Sequence, residues 1–248
     1  MIPSQIERYA RHLVLKEIGG PGQAALLDAK IAIVGAGGLG GPAGLYLAAA
    51  GIGHITLIDD DAVDLSNLQR QIQFSESDIE SSKVGSLAKR LSGLNQDVFI
   101  RPLCQKLTKE NAAEILQGHD LILDGVDDFE TRYAINDASL ALKIPLISGA
   151  LGRFKGQISL FNAAPDAPCY RCLVPDVPPD AETCAQVGII GALAGVMGSQ
   201  MALEAIKFIT QSGQSLSGRL YLFDGLQSES RTLALRKDPA CSACKTTP

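Results

Sequence analysis

Short apolar runs alternate with helical patterns along the first 150 residues, and this alternation constrains the fold strongly. The runs are mostly continuous, with no regular apolar–polar alternation, which is typical of strands buried on both faces of a parallel sheet. The pattern therefore predicts a doubly wound α/β fold. The predicted strands are 30–35, 54–59, 97–102, 120–125 and 144–149, and the predicted helices are 39–51, 82–94, 109–117 and 128–142.

The pattern changes after residue 150. Residues 156–162 and 218–225 have the character of antiparallel strands, so we expect the largely parallel sheet to continue into antiparallel strands. Between them lie a proline-rich stretch, 172–180, and a long predicted helix, 189–211. This helix is rich in small residues on its early turns, so it is either packed inside the chain or part of a subunit interface.

The sequence contains no internal repeat and no long linker. We interpret 1–248 as a single domain with a nucleotide-binding half at 30–150 and a second half at 151–248. A separate helix over 4–16 is predicted ahead of the sheet.

A glycine-rich turn, GAGGLG, follows the first predicted strand and opens the next predicted helix. Glycines permit a tight turn and let a phosphate approach the backbone, while the helix N-terminus supplies N–H donors. Asp59 ends the second strand, where an acidic residue meets ribose hydroxyls in such folds. A Rossmann-like nucleotide site is therefore predicted at Gly35, Gly37, Gly38, Gly40 and Asp59, with Asp61 as a further candidate. An NAD-dependent oxidoreductase would share these features, so it stays an alternative.

The segment DLSNLQRQ, 64–71, favours ATP over a dinucleotide. It places Asn67, Arg70 and Gln71 after the ribose carboxylate, and Lys83 begins a helix a little further on. A triphosphate needs cations at its far end, whereas a dinucleotide needs little more than the glycine turn. Arg70 and Lys83 suit that place, although each could be an ordinary surface charge.

Acidic residues also follow the fourth predicted strand, in the sequence DGVDD, 124–128. Carboxylates at the C-terminal edge of a parallel sheet face the ligand crevice. Mg²⁺ is usually held by one or two carboxylates together with substrate phosphates, so Asp127 is a candidate magnesium ligand. Its alternative role is to cap the following helix, for which Asp128 is better placed.

Two C-x-x-C pairs are the most specific single signal in the chain. Cys169 and Cys172 form one pair, and Cys241 and Cys244 form the other. Four thiolates at this spacing make a closed, structural zinc site. The pairs therefore predict that Zn²⁺ ties the end of the chain to its middle, with four ordinary thiols as the alternative.

The remaining two cysteines have no such pattern. Cys104 is interpreted as a buried or partly buried structural residue. Cys184 follows the proline-rich stretch and could be a nucleophile near the crevice, but no histidine lies near it in sequence. A non-reactive thiol is an equally good interpretation of Cys184.

Charge and apolar content restrict the partners and the location. The 22 basic and 27 acidic residues give a net charge of −5, which argues against a nucleic-acid partner. The N-terminus lacks the apolar core of a signal peptide, which predicts a cytoplasmic protein. The most apolar run, 187–198, is too short to span a bilayer, so no membrane partner is expected.

Together, these motifs resemble the ThiF/MoeB/HesA adenylyltransferases, bacterial relatives of ubiquitin-activating enzymes. The resemblance implies ATP-dependent activation of the C-terminal Gly-Gly carboxylate of a ubiquitin-like, MoaD- or ThiS-like sulfur carrier. The product would be an acyl-adenylate, with release of pyrophosphate, for molybdopterin or thiamine biosynthesis. The matching segments occur in family order: RYAR (8–11), GAGGLGG (35–41), DLSNLQRQ (64–71), Lys83, DGVDD (124–128), CYRC (169–172), ETCAQVGII (182–190), GVMGSQMALEAIK (195–207) and CSAC (241–244).

The resemblance also implies roles for individual residues. The glycine turn around Gly38 would lie at the phosphates and Asp59 at the ribose, with Asp127 serving Mg²⁺ and catalysis. Arg11 matches an arginine that reaches the ATP of the other subunit, which implies a homodimer. The implied catalytic residues are Arg11, Arg70, Lys83 and Asp127; their joint presence counts against a non-catalytic nucleotide-binding scaffold.

The resemblance leaves the sulfur chemistry open. The proline-rich stretch leading into Cys184 corresponds to a crossover loop over the carrier tail. In the ThiF branch a cysteine at this place joins the carrier through an acyl-persulfide, whereas in the MoeB branch it is not needed for adenylation. No rhodanese-like extension follows Cys244, so a separate sulfur donor is expected, such as a cysteine desulfurase or a rhodanese.

Overall fold

The computed structural model describes residues 1–177 and 188–245, and its centre is one continuous β-sheet. The strands are β1 Lys30–Val34, β2 His54–Ile58, β3 Phe99–Leu103, β4 Leu121–Asp124, β5 Leu146–Gly152, β6 Lys155–Phe161, β7 Arg219–Asp224 and β8 Glu229–Ala234. Their order across the sheet is β3-β2-β1-β4-β5-β6-β7-β8.

The type of strand pairing changes once along this order, from parallel to antiparallel. All pairings from β3 to β5 are parallel, and those of β5 with β6, β6 with β7 and β7 with β8 are antiparallel. The predicted Rossmann-like sheet, parallel and then continued by antiparallel strands, is confirmed. Because β1 has β2 on one side and β4 on the other, the chain reverses its progress across the sheet there, and a crevice opens at the carboxyl ends of these strands.

Helices cover both faces of the sheet, and each face has its own apolar core. Ile31 and Ile33 of β1 face one core, while the alternate residues Ala32 and Val34 face the other. The helices are α1 Pro3–Arg8, α2 Ala10–Leu13, α3 Gly19–Asp28, α4 Gly40–Ala50, α5 Lys83–Leu94, α6 Ala112–Leu116, α7 Phe129–Leu142, α8 Tyr170–Leu173 and α9 Gly191–Thr210. The first core is built on α3, α4, α5 and α9, and the second on α6, α7 and α8.

The N-terminal helix predicted over 4–16 is wrong, because two short helices take its place. The chain leaves helical geometry at Tyr9, with φ −97° and ψ 13°. The Tyr9 side chain is 2% exposed, and its hydroxyl accepts a hydrogen bond from Asn95 Nδ2 at 2.9 Å. Burying this ring against Gly51 breaks the helix that the local pattern favours.

Three elements are absent from the sequence prediction: α3, α8 and β8. Helix α3 begins with Gly-Gly-Pro-Gly, which has the composition of a turn. Strand β8 is exposed along its whole length and pairs only with β7 among the described strands, so it has no apolar face to reveal it.

Helix α9 is long and apolar enough to cross a bilayer by length and composition, and 44% of that window is buried inside the protein. The length argument from the run 187–198 therefore does not extend to the whole helix, which continues through apolar residues to Thr210. One side of the helix, with Met197 and Met201, packs into the first core. Val196 and Leu203 of the same helix are exposed.

Candidate nucleotide-binding and metal sites

A cavity of about 650 Å³ opens at the carboxyl ends of the parallel strands. Its wall is formed by the β1–α4 turn, the segments after β2, the start of α5 and the β4–α7 loop. Ten of the eleven residues predicted for the nucleotide site line it: Gly35, Gly37, Gly38, Asp59, Asp61, Asn67, Arg70, Gln71, Lys83 and Asp127.

Gly40 and Arg11 do not line this cavity. Gly40 is buried at the start of α4, where a Cβ atom would lie 1.9 Å from the carbonyl oxygen of Gly35. Its place in the motif is therefore explained by close packing of the turn on the helix. Arg11 is exposed on α2, so its predicted action on a partner's nucleotide stays a prediction.

The glycine turn is held by hydrogen bonds from Gln73, which was not among the predicted site residues. Gly35 has a positive φ of 89°, as the tight turn requires. Gln73 is buried, and its Nε2 donates to the carbonyl oxygens of Ala36 and Gly37, both at 3.0 Å. Gln73 lies in the segment QRQIQ, 69–73, and nothing in this segment distinguishes it from the other two glutamines.

Gln71 has a buried oxygen that matches a ligand site. Its side-chain Oε1 is buried and has no hydrogen-bond partner within residues 1–177 and 188–245. Gln71 lines the cavity. Buried polar atoms are normally paired, so this oxygen fits a donor supplied by a bound ligand.

Asp59 is fixed at the end of β2 by two backbone donors. Its Oδ2 accepts the Ala36 N–H at 2.7 Å, and its Oδ1 accepts the Asp61 N–H at 2.9 Å. Burial raises the pKa of Asp59, while these hydrogen bonds and Lys83 work against that rise. The carboxylate is therefore oriented beside the glycine turn, at the place predicted for a ribose.

Lys83 forms an ion pair at the cavity wall. Its Nζ lies 2.6 Å from Asp61 Oδ2, and its side chain is only 8% exposed. The backbone N–H of Lys83 also donates to the carbonyl oxygen of Asp61 at 3.0 Å. The ammonium is thus held in place, close to the cavity where a phosphate would need it.

Arg70 and Asn67 also line the cavity, on a segment that begins at Asp64. Asp64 caps the short 3₁₀ helix Leu65–Asn67 by accepting the Ser66 N–H at 2.7 Å. The Arg70 Nη1 donates to the Ser66 carbonyl oxygen at 2.9 Å, which orients the guanidinium. Two cations from separate segments therefore line one cavity.

The β4–α7 loop carries Asp127 into the same cavity. Asp128 is the N-cap of α7, because its side chain accepts the Thr131 N–H at 2.8 Å. The prediction that Asp128, and not Asp127, caps this helix is confirmed. Asp127 is left with an oxygen ligand for Mg²⁺ in a cavity that also contains cations for phosphates, which fits a magnesium–triphosphate site.

A buried ion pair beneath this loop was not predicted from the sequence. Arg132 Nη1 lies 3.0 Å from Asp124 Oδ2, and both side chains are nearly inaccessible to water. Burial raises the pKa of Asp124, whereas the Arg132 charge and the Ser148 hydroxyl at 2.6 Å lower it. The available signal was a charged residue at 132, next to the apolar positions Ala134 and Ile135 of α7.

The four paired cysteines come together as predicted. Their Sγ atoms all lie within 4.8 Å of one another, with Cys169–Cys241 at 3.6 Å and Cys172–Cys244 at 3.4 Å. A tetrahedron with Zn–S bonds of about 2.3 Å has S–S edges of about 3.8 Å, whereas a disulfide needs about 2.05 Å. The cluster therefore has the geometry of a Cys₄ zinc site.

The electrostatics of this cluster also favour a cation. Burial raises the pKa of the Cys169 thiol and raises the pKa of Cys244 to about 11, whereas backbone hydrogen bonds from Cys244 and Ala243 lower the pKa of Cys241 despite its burial. Holding Cys169 and Cys244 as thiolates without a compensating charge is unfavourable, and Zn²⁺ supplies that charge.

The other two cysteines fall outside both sites. Cys104 is exposed, so its interpretation as a buried residue is wrong; it follows β3 at the edge of the sheet, where its side chain reaches solvent. Cys184 lies outside the described residues, and its role in sulfur transfer stays a prediction.

This fold and this cavity define a Rossmann-like class of α/β protein in which a glycine turn, carboxylates and two cations line one crevice. The chain matches the ThiF family over residues 9–243 and belongs to that family. The family resemblance stated from the motifs is confirmed.

Three relatives align with nearly the whole chain. The SAMP-activating enzyme E1 of Haloferax volcanii is 41% identical over 97% of this chain and 89% of its own length. The sulfur carrier protein adenylyltransferase of Thermus thermophilus is 41% identical over 97% of this chain and 91% of its own. Adenylyltransferase and sulfurtransferase MOCS3 of Culex quinquefasciatus is 45% identical over 99% of this chain, which spans 56% of that relative. These names do not support the NAD-dependent oxidoreductase alternative.

Solved structures share the fold. Escherichia coli MccB with MccA-N7isoASN superposes with a TM-score of 0.85 at 21% identity, covering 97% of this chain and 75% of that one. MccB with ATP gives a TM-score of 0.83 at 21% identity, covering 96% of this chain and 75% of that one.

Proposed function

We propose that this chain is an ATP-dependent adenylyltransferase that activates the C-terminal Gly-Gly carboxylate of a ubiquitin-like sulfur-carrier protein. The carboxylate oxygen attacks the α-phosphate of ATP, which gives an acyl-adenylate and releases pyrophosphate. The observation that carries the proposal is the gathering of Asp59, Arg70, Lys83 and Asp127 around one cavity. The relatives named as adenylyltransferases support it further.

Residues at different positions in the cavity would bind different parts of Mg²⁺–ATP. The glycine turn and Asp59 would bind the adenosine side, and Asn67, Arg70 and Lys83 would hold the phosphates. Asp127 would hold Mg²⁺, which neutralises charge on the leaving pyrophosphate when bound. No covalent nucleophile is required, because positioning and charge neutralisation carry this kind of transfer.

A second cavity supports docking of a carrier beside the nucleotide. It measures about 510 Å³ and lies over the antiparallel strands β5 to β8. Both cavities share Ala150, Leu151 and Gln157, so they adjoin each other. An extended Gly-Gly tail has no side chains, so it could pass along this junction to the α-phosphate.

The proposal includes a homodimer in which Arg11 of one subunit reaches the nucleotide of the other. Arg11 is exposed and outside the cavity of its own chain, as that role requires. Helices α4 and α9, which pack on each other, carry exposed Tyr46, Val196 and Leu203. Exposed apolar side chains of this size are common at subunit interfaces.

We further propose the setting of the reaction. The carrier would be MoaD- or ThiS-like and serve molybdopterin or thiamine biosynthesis in the cytoplasm. A separate cysteine desulfurase or rhodanese would supply sulfur. Cys184 would either join the carrier through an acyl-persulfide or be dispensable. The continuous sheet supports treating 1–248 as a single domain.

Carrier-dependent isotope exchange tests the proposed activity. With Mg²⁺, ATP, labelled pyrophosphate and a recombinant ubiquitin-fold carrier ending in Gly-Gly, we expect label to enter ATP. The matched control is the same carrier without its last two glycines, which should give no exchange. If zinc-loaded, folded protein shows no exchange with either MoaD-type or ThiS-type carriers, the proposal fails.

A further inference from the structure

Arg132 contacts the loop that carries Asp127, and it also contacts Tyr170, which lies between the two cysteines of the first pair. The proposed mechanism gives Arg132 no role. It lies on α7 at the wall of the nucleotide cavity, with a side chain that is 6% exposed. Besides Asp124, its guanidinium donates to the Ser148 hydroxyl at 2.9 Å, to the Gly149 carbonyl at 2.8 Å and to the Val126 carbonyl.

These bonds fix the peptide that precedes Asp127. The Val126 carbonyl accepts from Arg132, while the Val126 N–H donates to Asp124 Oδ1 at 3.1 Å. Both polar groups of Val126 therefore depend on one ion pair. Asp127 follows directly, so the position of its backbone depends on the same pair.

Arg132 also contacts Tyr170, which lies between Cys169 and Cys172. The Arg132 Cζ lies 5.9 Å from the centre of the Tyr170 ring. The ring is nearly inaccessible and is packed edge-on against Phe161 at 5.8 Å. Tyr170 also lines the nucleotide cavity, so one residue of the metal knuckle reaches the cavity wall.

The backbone of Tyr170 is tied to the knuckle and to α7. Its N–H donates to Asn136 Oδ1 at 2.8 Å, and the Cys172 N–H donates to the Cys169 carbonyl at 3.0 Å. A shift of the Cys169–Cys172 backbone would therefore move the Tyr170 ring or break these bonds. The Arg132 guanidinium packs against that ring.

The Arg132 interactions do more than fill space, because they are directional hydrogen bonds to backbone acceptors. A buried ion pair contributes little net stability, because removing both charges from water costs about as much as their attraction returns. An apolar pair would fill the space, but it would leave the Val126 and Gly149 carbonyls without their donors. The guanidinium fork is suited to holding several acceptors in one geometry.

We propose that Arg132 is a positioning residue for the Asp127 loop, and that Tyr170 couples the metal knuckle to that loop through Arg132. The inference rests on the proposed function, since it takes Asp127 as part of the magnesium–ATP site. The cysteine cluster then does more than join two parts of the chain. Its occupancy sets the geometry in which Asp127 meets Mg²⁺.

Binding measurements on variants test this link. Arg132→Lys keeps the charge but loses the fork, and Tyr170→Leu keeps an apolar side chain but loses the ring. For each we expect zinc content to stay at the wild-type level, while Mg²⁺-dependent affinity for α,β-methylene-ATP falls by roughly tenfold, the size typical of residues behind a metal ligand. In the exchange assay the Mg²⁺ concentration for half-saturation should rise more than kcat falls.

Arg171→Met is the matched control. Arg171 is the next residue of the same knuckle, but its guanidinium lies 3.8 Å from the Tyr133 ring and pairs with Asp137. This variant should bind the analogue like the wild type. Wild-type affinity in both Arg132→Lys and Tyr170→Leu would overturn the inference, as would an equal loss in Arg171→Met.

Hydrogen exchange on the wild-type protein keeps the test decisive if a variant does not fold. After chelation of the metal, we expect faster exchange at the Val126 amide, which donates to Asp124 Oδ1, and little change at the Ala36 amide in the glycine turn. No change at Val126, or an equal rise at Ala36, would overturn the coupling. If the wild type binds no ATP at all, the proposed function fails first, whereas an active wild type with unaffected variants contradicts only the inference.

Discussion

Replacing Asp127 with alanine is expected to reduce carrier-dependent pyrophosphate exchange by roughly 10²–10³-fold or more, the size seen when one transition-state stabilising group is removed. The carboxylate lines the same cavity as Arg70 and Lys83, so its loss removes the proposed Mg²⁺ ligand. The fold should survive, because the cap of α7 comes from Asp128. Exchange rates and thermal unfolding, measured on the same preparation, check both statements.

Asp128→Ala separates catalysis from capping. Loss of an N-cap typically costs about 1 kcal/mol, so this variant should unfold at a lower temperature than Asp127→Ala and lose much less exchange activity. Unchanged exchange in Asp127→Ala would favour a non-catalytic scaffold. A larger loss in Asp128→Ala than in Asp127→Ala would exchange the roles of the two residues.

Loss of the metal site is expected to cause the largest drop in stability. The sulfurs of Cys169 and Cys241 meet across 72 residues of sequence, so the metal joins α8 to the end of the described chain. Zinc-finger peptides give an apparent upper range of about 10–16 kcal/mol for such a site. We expect about one Zn²⁺ per chain in the wild type, none in Cys172→Ser, and a much lower unfolding temperature for that variant.

Cys104→Ser is the control for cysteine replacement. Cys104 is exposed and distant from the cluster in sequence, so its replacement should change neither zinc content nor unfolding temperature. A metal analysis that finds no zinc in the wild type, or an unaltered unfolding temperature in Cys172→Ser, would refute the closed site.

Features set by local sequence were predicted well. Strand β1 ends at Val34 and the glycine turn follows at once, so the buried run and the motif are read from adjacent residues. The cysteine pairs are equally local, and their four sulfurs meet as the spacing indicated. Ten of the eleven candidate nucleotide residues line the cavity because carboxyl ends of parallel strands share one edge of the sheet.

Features decided by distant contacts were missed. The break in the N-terminal helix occurs at Tyr9, whose hydroxyl accepts a hydrogen bond from Asn95. The sequence near Tyr9 does not indicate this distant contact. The Asp124–Arg132 pair joins the end of a strand to the next helix, and its partner Ser148 comes from another strand. Gln73 supports the glycine turn from 36 or 37 residues away.

The most direct test of the central claim follows an oxygen atom from the carrier to AMP. A ubiquitin-fold carrier labelled with ¹⁸O in its C-terminal carboxylate is turned over with ATP, Mg²⁺ and hydroxylamine as the acyl acceptor, and the AMP is analysed by mass spectrometry. Attack of the carboxylate on the α-phosphate leaves its oxygen on AMP when the acyl group is transferred, so AMP should carry one ¹⁸O atom. Unlabelled AMP from a labelled carrier would contradict the account.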